Sequence, residues 1–344
     1  MRSGSRRLRV LTWHVHGNYL WYLSRTPHDF YLPVKPGRPR PYGGRAGTFP
    51  WPDNVHEIAA AEVPQADFDC VVYQSHANYL VDQYELLSRR QRRLPRIYLE
   101  HNPPLRHPVS ERHPVDDPNV VVVQGTHWND LMWDCGASPT VVIEHGVFVP
   151  EGARYTGELA RGITAINHLR TRGRRLGADI FCRAREQVPI DLFGMDAESL
   201  GGVREVDPPL LAYVQARYRF WFSPIRLTTL QLAMIEAMMV GLPVIGLATG
   251  ELASVIENGV TGVVDTSLER LIDAMRILLR DPAEAGRLGV AARRMALERF
   301  DIHRFAREWD ALLTEVAGRR RPSTGARRSR IPLATADADT EAGG

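Results

Sequence analysis

Lysine is almost absent from this chain: Lys35 is the only one among 43 basic residues, and arginine supplies the rest. So uniform a skew follows genome composition as readily as chemistry. With 40 acidic residues the formal net charge is only +3, so bulk charge gives no reason to expect a nucleic acid or other polyanionic partner. Cysteine is scarce too. Cys70, Cys135 and Cys182 are scattered and odd in number, which suits neither a disulfide framework nor a zinc-ligand spacing. Buried free thiols in a reducing cytosol are the expectation. Long apolar runs are missing, since no stretch approaches the roughly 20 residues that cross a bilayer. The basic start MRSGSRRLRVLTWHVHG carries an apolar run too short, and too broken by histidine, for an export signal. Gly-x-Gly-x-x-Gly and Walker loops are missing, so nicotinamide and NTPase readings gain no support. His101, His107 and His113, six apart in a proline-rich loop, are a poor ligand set for one helix or strand, and no metal site is expected.

What is present alternates. Apolar runs at 8–15, 29–34, 68–75, 95–101, 119–125 and 139–147 read as strands, with helical patterns at NYLWYLSR, NYLVDQYELLSRRQRR and HWNDLMWDCG, the last stopped by Gly136. Residues 35–54 are rich in Pro and Gly, and a loop that long inside a domain is usually functional. A second series follows, with strands at 162–168, 190–194, 219–224 and 242–247. Its helices fall at RRLGADIFCRAREQ, PPLLAYVQARY, LQLAMIEAMMV (230–240), LERLIDAMRILLRD, PAEAGRLGVAARRMALERF and 301–318. At 344 residues the chain exceeds one ordinary core. The pattern predicts an α/β protein of two doubly wound, Rossmann-like domains facing a cleft, 1–150 and 151–300. Residues 319–344 lack an apolar period and read as a disordered tail.

The densest chemistry lies after the strand RFWFSP. Thr228 or Thr229 is a suitable N-cap for a helix starting near Leu230, whose free amides at 229–232 would form an anion site suited to phosphate. Glu236 lies two turns in, and helical side chains lean toward the N-terminal end. There it could accept hydrogen bonds from a ribose, which would offset the cost of burying an acid. From spacing alone it reads equally as a solvated glutamate on an amphipathic helix.

The stretch FSPIRLTTLQLAMIEAMMVGLPVIGLATGELASVIENGVTGVV resembles the donor-binding segment of the retaining group 1 glycosyltransferases of GT-B fold. It matches the family at Glu236–Met238, Gly241, Pro243–Val244, Gly250 and Asn258–Gly262. The first acid of the family's Glu-x7-Glu pair, which contacts the transferred sugar, is Thr228 here, and Ser254 stands where the family often has an acid. Arg172–Gly173 resembles the Lys-Gly pair that grips the donor diphosphate. Arg170 is the nearest candidate for the accompanying arginine, although Ile166–Asn167 replaces the usual Gly-Arg opening. Cations aimed at a leaving diphosphate stabilise its developing charge, and arginine forks suit phosphate. His101 ends a first-domain strand where the family has a histidine close to the donor sugar. Gly17 occupies the family's glycine loop near the donor phosphates, and Gly194 the turn before the base pocket. VIEHGV (142–147) resembles the interdomain connector, with His145 in place of Asn.

The resemblance implies transfer of a hexose-type sugar from a nucleoside diphosphate sugar to a glycan or lipid-linked acceptor, with retention and with neither metal nor cofactor. His101, Arg172 and Glu236 would carry catalysis. Gly17, Arg170, Gly194, Thr228, Thr229, Leu230 and Glu236 would bind the donor, and helix 301–318 would cross back onto the first domain. Two alternatives share the architecture: a non-catalytic nucleotide-sugar or glycan-binding protein, which Thr228 would suit, and a nucleotide-sugar epimerase. The basic stretches SRRQRRLPR (88–96) and RSGSRRLR (2–9) suit either solvent or an anionic bilayer. The expected location is cytoplasmic, with cell-envelope glycan work at the inner face of the membrane.

Overall fold

The computed structural model describes residues 6–319. The expected disordered tail, apart from Arg319, and residues 2–5 of the basic start lie outside that range. The first half runs through β1 (Arg9–Thr12), α1 (Gly17–Leu23), β2 (Asp29–Val34), β3 (Val55–Ala59), β4 (Cys70–Tyr73), α2 (Gln83–Leu86), β5 (Arg96–Glu100), β6 (Val120–Gln124), α3 (His127–Met132) and β7 (Thr140–Val142). The second runs through β8 (Leu159–Ala165), α4 (Leu169–Leu176), α5 (Ala178–Arg185), β9 (Ile190–Phe193), α6 (Pro208–Gln215), β10 (Tyr218–Ser223), α7 (Leu232–Val240), β11 (Val244–Leu247), α8 (Leu252–Val255), β12 (Gly262–Asp265), α9 (Leu268–Arg280), α10 (Pro282–Arg299) and α11 (Ile302–Gly318).

The strands form two parallel sheets, ordered β3-β2-β1-β4-β5-β6-β7 and β12-β11-β10-β8-β9. Parallel strands are covered on both faces and therefore read as unbroken apolar runs, as the fully buried Val120–Val123 of β6 do. In each sheet the strand order reverses once, between β1 and β4 and between β8 and β10. Ligands bind such sheets at those reversals, beyond the carboxyl ends of the strands. The two reversals fix where a cleft ligand has to sit.

Several elements differ from the sequence reading. β3 and β12 were not expected: each is four or five residues long and sits at a sheet edge, bonded to one neighbour only. The single helix expected over 78–93 is a π-turn at Asn78–Asp82, one α-turn, and a separate 3-10 turn at Gln91–Arg93. Its middle is broken by Gln91 Oε1, which accepts from the Ser88 N–H at 2.9 Å. The helix expected over 174–187 is two, with Gly177 in the left-handed region between them. α3 ends at Met132 because Trp133 turns extended (φ −93°, ψ 126°); Gly136 plays no part in stopping it.

Helix α11 returns to the first half. Trp309 is fully buried and its Nε1–H donates to the Tyr19 hydroxyl at 3.2 Å, while Phe305 packs edge-on to the same ring at 5.6 Å. The buried His28 imidazole faces Asp310 at 3.0 Å. The connector is clamped from the same side, Arg304 donating to the carbonyls of Glu144 and His145. Truncating a buried tryptophan of this kind costs about 3–5 kcal/mol, so the crossing is a firm attachment.

Candidate functional site

The carboxyl ends of β1, β4 and β5 from the first half meet the ends of β8 and β10 from the second. Gln74, one residue past β4, donates to Thr12 Oγ1 (2.8 Å) and to the Trp13 carbonyl (2.7 Å), which fixes its amide orientation. Its Oε1 therefore accepts from His101 Nε2, 3.2 Å away, and the His101 Nδ1 keeps its lone pair. His16 lies tilted against His101 with ring centres 4.2 Å apart, and Tyr19 meets His101 edge-on at 5.1 Å. Burial, reinforced by the neighbouring His16 and His145, holds the His101 pKa well below the usual histidine value. His16 keeps an exposed edge but stands deep between the halves, and that burial, with the charge of Arg172, pushes its pKa down to about 4. His145 is also pushed down to about 4 by burial. His101 and His16 are thus neutral imidazoles able to hydrogen-bond hydroxyls without charge, whereas both nitrogens of His145 are buried without a partner.

The second half supplies the opposite wall. Thr228 or Thr229 was expected to cap α7, but Gln231 is the N-cap and the helix begins at Leu232. The Thr229 hydroxyl reaches across the cleft instead and donates to the His101 carbonyl at 3.2 Å. The open amides therefore shift to Leu232–Met234, since the Ile235 N–H already reaches the Gln231 carbonyl. Thr228, Thr229 and Leu230 line a small crevice, together with Ser223, Gln231 and Thr249.

Glu236 is not a solvated surface acid. It is 4% exposed, and its Oε1 accepts from the Tyr22 hydroxyl at 2.7 Å and from Asn18 Nδ2 at 3.5 Å, both on α1 of the first half. Burial raises its pKa, and the bonds from Tyr22 and Asn18 pull the other way. Tyr22 belongs to this site although nothing in its sequence spacing singled it out; Asn18 directly follows Gly17, in the loop that the resemblance placed near the donor phosphates.

The arginines divide. Arg170 is exposed and donates to the Ser199 carbonyl at 2.7 Å; that bond neither requires nor rules out the diphosphate role expected of it. Arg174 and Arg226 converge on Asp179. Arg172 and Arg175 form no ion pair among the described residues. Arg172 acts on its surroundings as a cation: it lowers the pKa of His16 and also, after burial, that of Arg175. The sequence reading passed over Arg175. Gly173 between them has φ 56° and ψ −136°, a conformation open to glycine alone, and it breaks α4 so that the two arginines need not follow helical spacing.

Gly17 opens α1 beneath Phe49 of the 35–54 loop, where a Cβ would come within 2.5 Å of the ring. The long loop thus closes over α1, held by His14 to the Gly44 carbonyl (2.6 Å) and by Trp21 Nε1 to the Pro50 carbonyl (3.2 Å). Gly194 follows β9 with φ 128°, and a Cβ there would strike Asn167 Oδ1 at 2.8 Å. Both glycines border the cleft through close packing. A second bond across the halves sits beside the crevice: buried Glu251 accepts from the Trp128 N–H at 2.8 Å and pairs with Arg299 at 3.2 Å. Arg172, whose charge reaches His16, then His16, His101 and Thr229 thus form a series that runs from one half to the other.

Residues 194–281 match the family described as Glycosyl transferases group 1. No curated protein matches the sequence. Among solved structures, the chain is similar to a sucrose-phosphate synthase (tll1590) from Thermosynechococcus elongatus, at TM-score 0.68 and 16% identity, over 90% of this chain and 99% of that one. It is similar to Anabaena Alr3699/HepE in complex with UDP-glucose, at TM-score 0.62 and 13% identity, over 90% and 100%. It also resembles TarM from S. aureus, at TM-score 0.54 and 13% identity, over 74% and 58%.

Proposed function

We propose, from the premise that residues 194–281 belong to the group 1 glycosyltransferases and that the chain has the GT-B fold, that this protein transfers a hexose-type sugar from a nucleoside diphosphate sugar to a glycan or lipid-linked acceptor. The observation that carries the reading is the buried Glu236 carboxylate of the second half, bonded to Tyr22 of the first where the two halves meet. An acid kept 4% exposed where the two halves meet suits a ligand rich in hydroxyls, such as a ribose. An arginine without an ion pair, its charge felt at His16, suits a diphosphate. The solved structure of HepE with UDP-glucose supports a nucleotide-sugar donor.

In this reading Arg172 and Arg175, with the open amides of Leu232–Met234, hold the leaving diphosphate and stabilise its developing charge. Glu236 fixes the ribose, exchanging Tyr22 for ribose hydroxyls. His101 orients a hydroxyl of the transferred sugar through Nδ1. Thr228, standing where the family has its first acid, offers that sugar a neutral hydrogen bond. Transfer proceeds with retention and without metal or cofactor. The first half takes the acceptor, and exposed Arg89, Arg90 and Arg93 beside exposed Leu80, Val81 and Tyr84 support peripheral contact with an anionic bilayer at the inner face of the membrane. No helix of the described residues is long and apolar enough to cross a membrane.

A thermal-shift screen with uridine, guanosine and adenosine diphosphate sugars, followed by turnover of the radiolabelled donor, tests the reading. One donor should stabilise the protein and be consumed, and Glu236→Ala should abolish the shift while the variant stays folded. Donor binding without turnover would favour the non-catalytic alternative, and mass-preserving isomerisation of the donor the epimerase. No shift with any donor would remove the reading.

A further inference from the structure

The carboxyl ends of β4 and β5 carry a second polar cluster that the donor site does not use. His76 follows β4, Glu100 is the last residue of β5, and His113 comes from the proline-rich loop beyond it. One nitrogen or oxygen from each lies within 4.8 Å of the others, a spacing that would admit a divalent cation. The hydrogen bonds argue against one. The Val115 N–H donates to His113 Nδ1 at 3.1 Å, so the neutral ring carries its proton on Nε2. That Nε2–H donates to Glu100 Oε2 at 3.0 Å. Ligating a metal through Nε2 would require the ring to give up this proton while Nδ1 stays occupied, the reverse of the usual arrangement, in which the second nitrogen donates.

The same bonds make Glu100 a fixed anion. It is 4% exposed, and the Asn102 N–H donates to its Oε1 at 2.7 Å. Burial opposes its charge, yet the donors from His113, His76 and Asn102 outweigh burial and keep its carboxyl below the ordinary range. His76 is the outermost of these partners, its Nε2 3.5 Å from Glu100 Oε2 and its side chain 47% exposed. An imidazole that turns Nε2–H toward a buried carboxylate presents the lone pair of Nδ1 on its open side. Among the described residues nothing hydrogen-bonds that nitrogen.

Its place in the fold gives the lone pair a use. β4 flanks the reversal of the first sheet, and Gln74, two residues before His76, holds His101. Glu100 adjoins His101, and its charge reaches His16 in the cleft. The cluster therefore stands at the carboxyl ends of β4 and β5, next in the chain to the His101 carbonyl that Thr229 reaches from the second half. We propose that His76, oriented by Glu100 and His113, binds the acceptor, its Nδ1 accepting the hydrogen bond of the hydroxyl that attacks the donor sugar. Glu100 and His113 are positioning residues in this arrangement. The assignment rests on the transferase reading above.

Hydrolysis of the donor tests it without knowledge of the natural acceptor, because water then stands in the acceptor's place. With the nucleoside diphosphate sugar selected by thermal shift, His76→Ala should lower kcat for hydrolysis about tenfold, the order of one hydrogen bond, and leave the donor KM unchanged. His76→Gln keeps an N–H for Glu100 and an outward oxygen, and should recover most of the loss. A merely structural role predicts neither the split between kcat and KM nor the recovery. Unchanged kcat in His76→Ala, a donor KM that rises as kcat falls, or equal impairment of the Ala and Gln variants would overturn the assignment. Stoichiometric Zn²⁺ binding that requires His76 would replace it with a metal centre. A wild-type protein that turns over no such donor would remove the transferase reading itself, and this assignment with it.

Discussion

Tyr22→Phe isolates the bond that joins the two halves at the candidate site. The substitution keeps a fully packed ring and deletes one hydroxyl, which sits 2.7 Å from the Oε1 of a carboxylate that is 4% exposed. Asn18, at 3.5 Å, is too far to replace it. A hydrogen bond to a charged group is worth about 1.5–3 kcal/mol, and one to a neutral group about 1 kcal/mol. The cost of the variant therefore depends on the ionisation of Glu236. Burial raises the folded-state pKa of Glu236 above its unfolded value, while the bond from Tyr22 lowers it. A raised carboxyl pKa means that the folded protein holds this proton more tightly than the unfolded chain. Its contribution to stability is present at acid pH and lost as pH rises through the folded pKa. Tyr22→Phe raises that folded pKa further, so the gap between variant and wild type should be small in acid and open as pH climbs beyond the ordinary glutamate range. At about pH 8 the loss should be about 2 kcal/mol, a drop of a few degrees in Tm, and at about pH 5 roughly half of it or less. Calorimetric scans at the two pH values measure this, and a double-mutant cycle with Glu236→Gln should return a coupling of about 1–2 kcal/mol. A gap that is the same at both pH values, or wider in acid, would show that Tyr22 does not hold an ionised Glu236.

Three further outcomes follow from the same geometry. Arg172→Ala and Arg175→Ala should each weaken nucleoside diphosphate binding about tenfold in calorimetric titration, the scale of one charge-assisted hydrogen bond. Arg170→Ala, which loses only its bond to the Ser199 carbonyl, should bind as wild type does, and a loss equal to that of Arg172→Ala would give Arg170 the diphosphate role expected of it. Glu251→Ala strands the Trp128 N–H and removes one partner of Arg299, so urea unfolding should show about 2–3 kcal/mol lost; a surface-like change below about 0.5 kcal/mol would mean the bond across the halves contributes little. Turnover should be indifferent to EDTA, and activity lost to chelator and restored by a divalent ion would contradict metal-free transfer.

The alternation of apolar runs made both parallel sheets legible, because strands buried on two faces leave an uninterrupted signal, as VVVV of β6 does. β3 and β12 escaped because an edge strand needs only one apolar face and four or five residues to pair. Spacing within one helix could nominate Glu236 but not Tyr22, which lies 214 residues away and meets it only when the halves close. Arg170 and Arg175 could not be ranked in one dimension, since a glycine at φ 56° between them breaks the helical register that would have decided their directions. Thr229 looked like a cap because its hydroxyl suits one; a carbonyl across the cleft took it instead.

The return of α11 to the first half sets an order on biosynthesis. The groove that receives Phe305 and Trp309 is formed around Tyr19 of α1, while its filling is encoded almost 300 positions later. At about 5–20 residues per second that interval leaves the nascent N-terminal half with an uncovered aromatic surface for tens of seconds. A ribosome that stalls after α10 would release a chain with both sheets encoded and its seam unsealed. Such a product should be recognised by chaperones and proteases, whereas a chain cut after Gly318 should escape them.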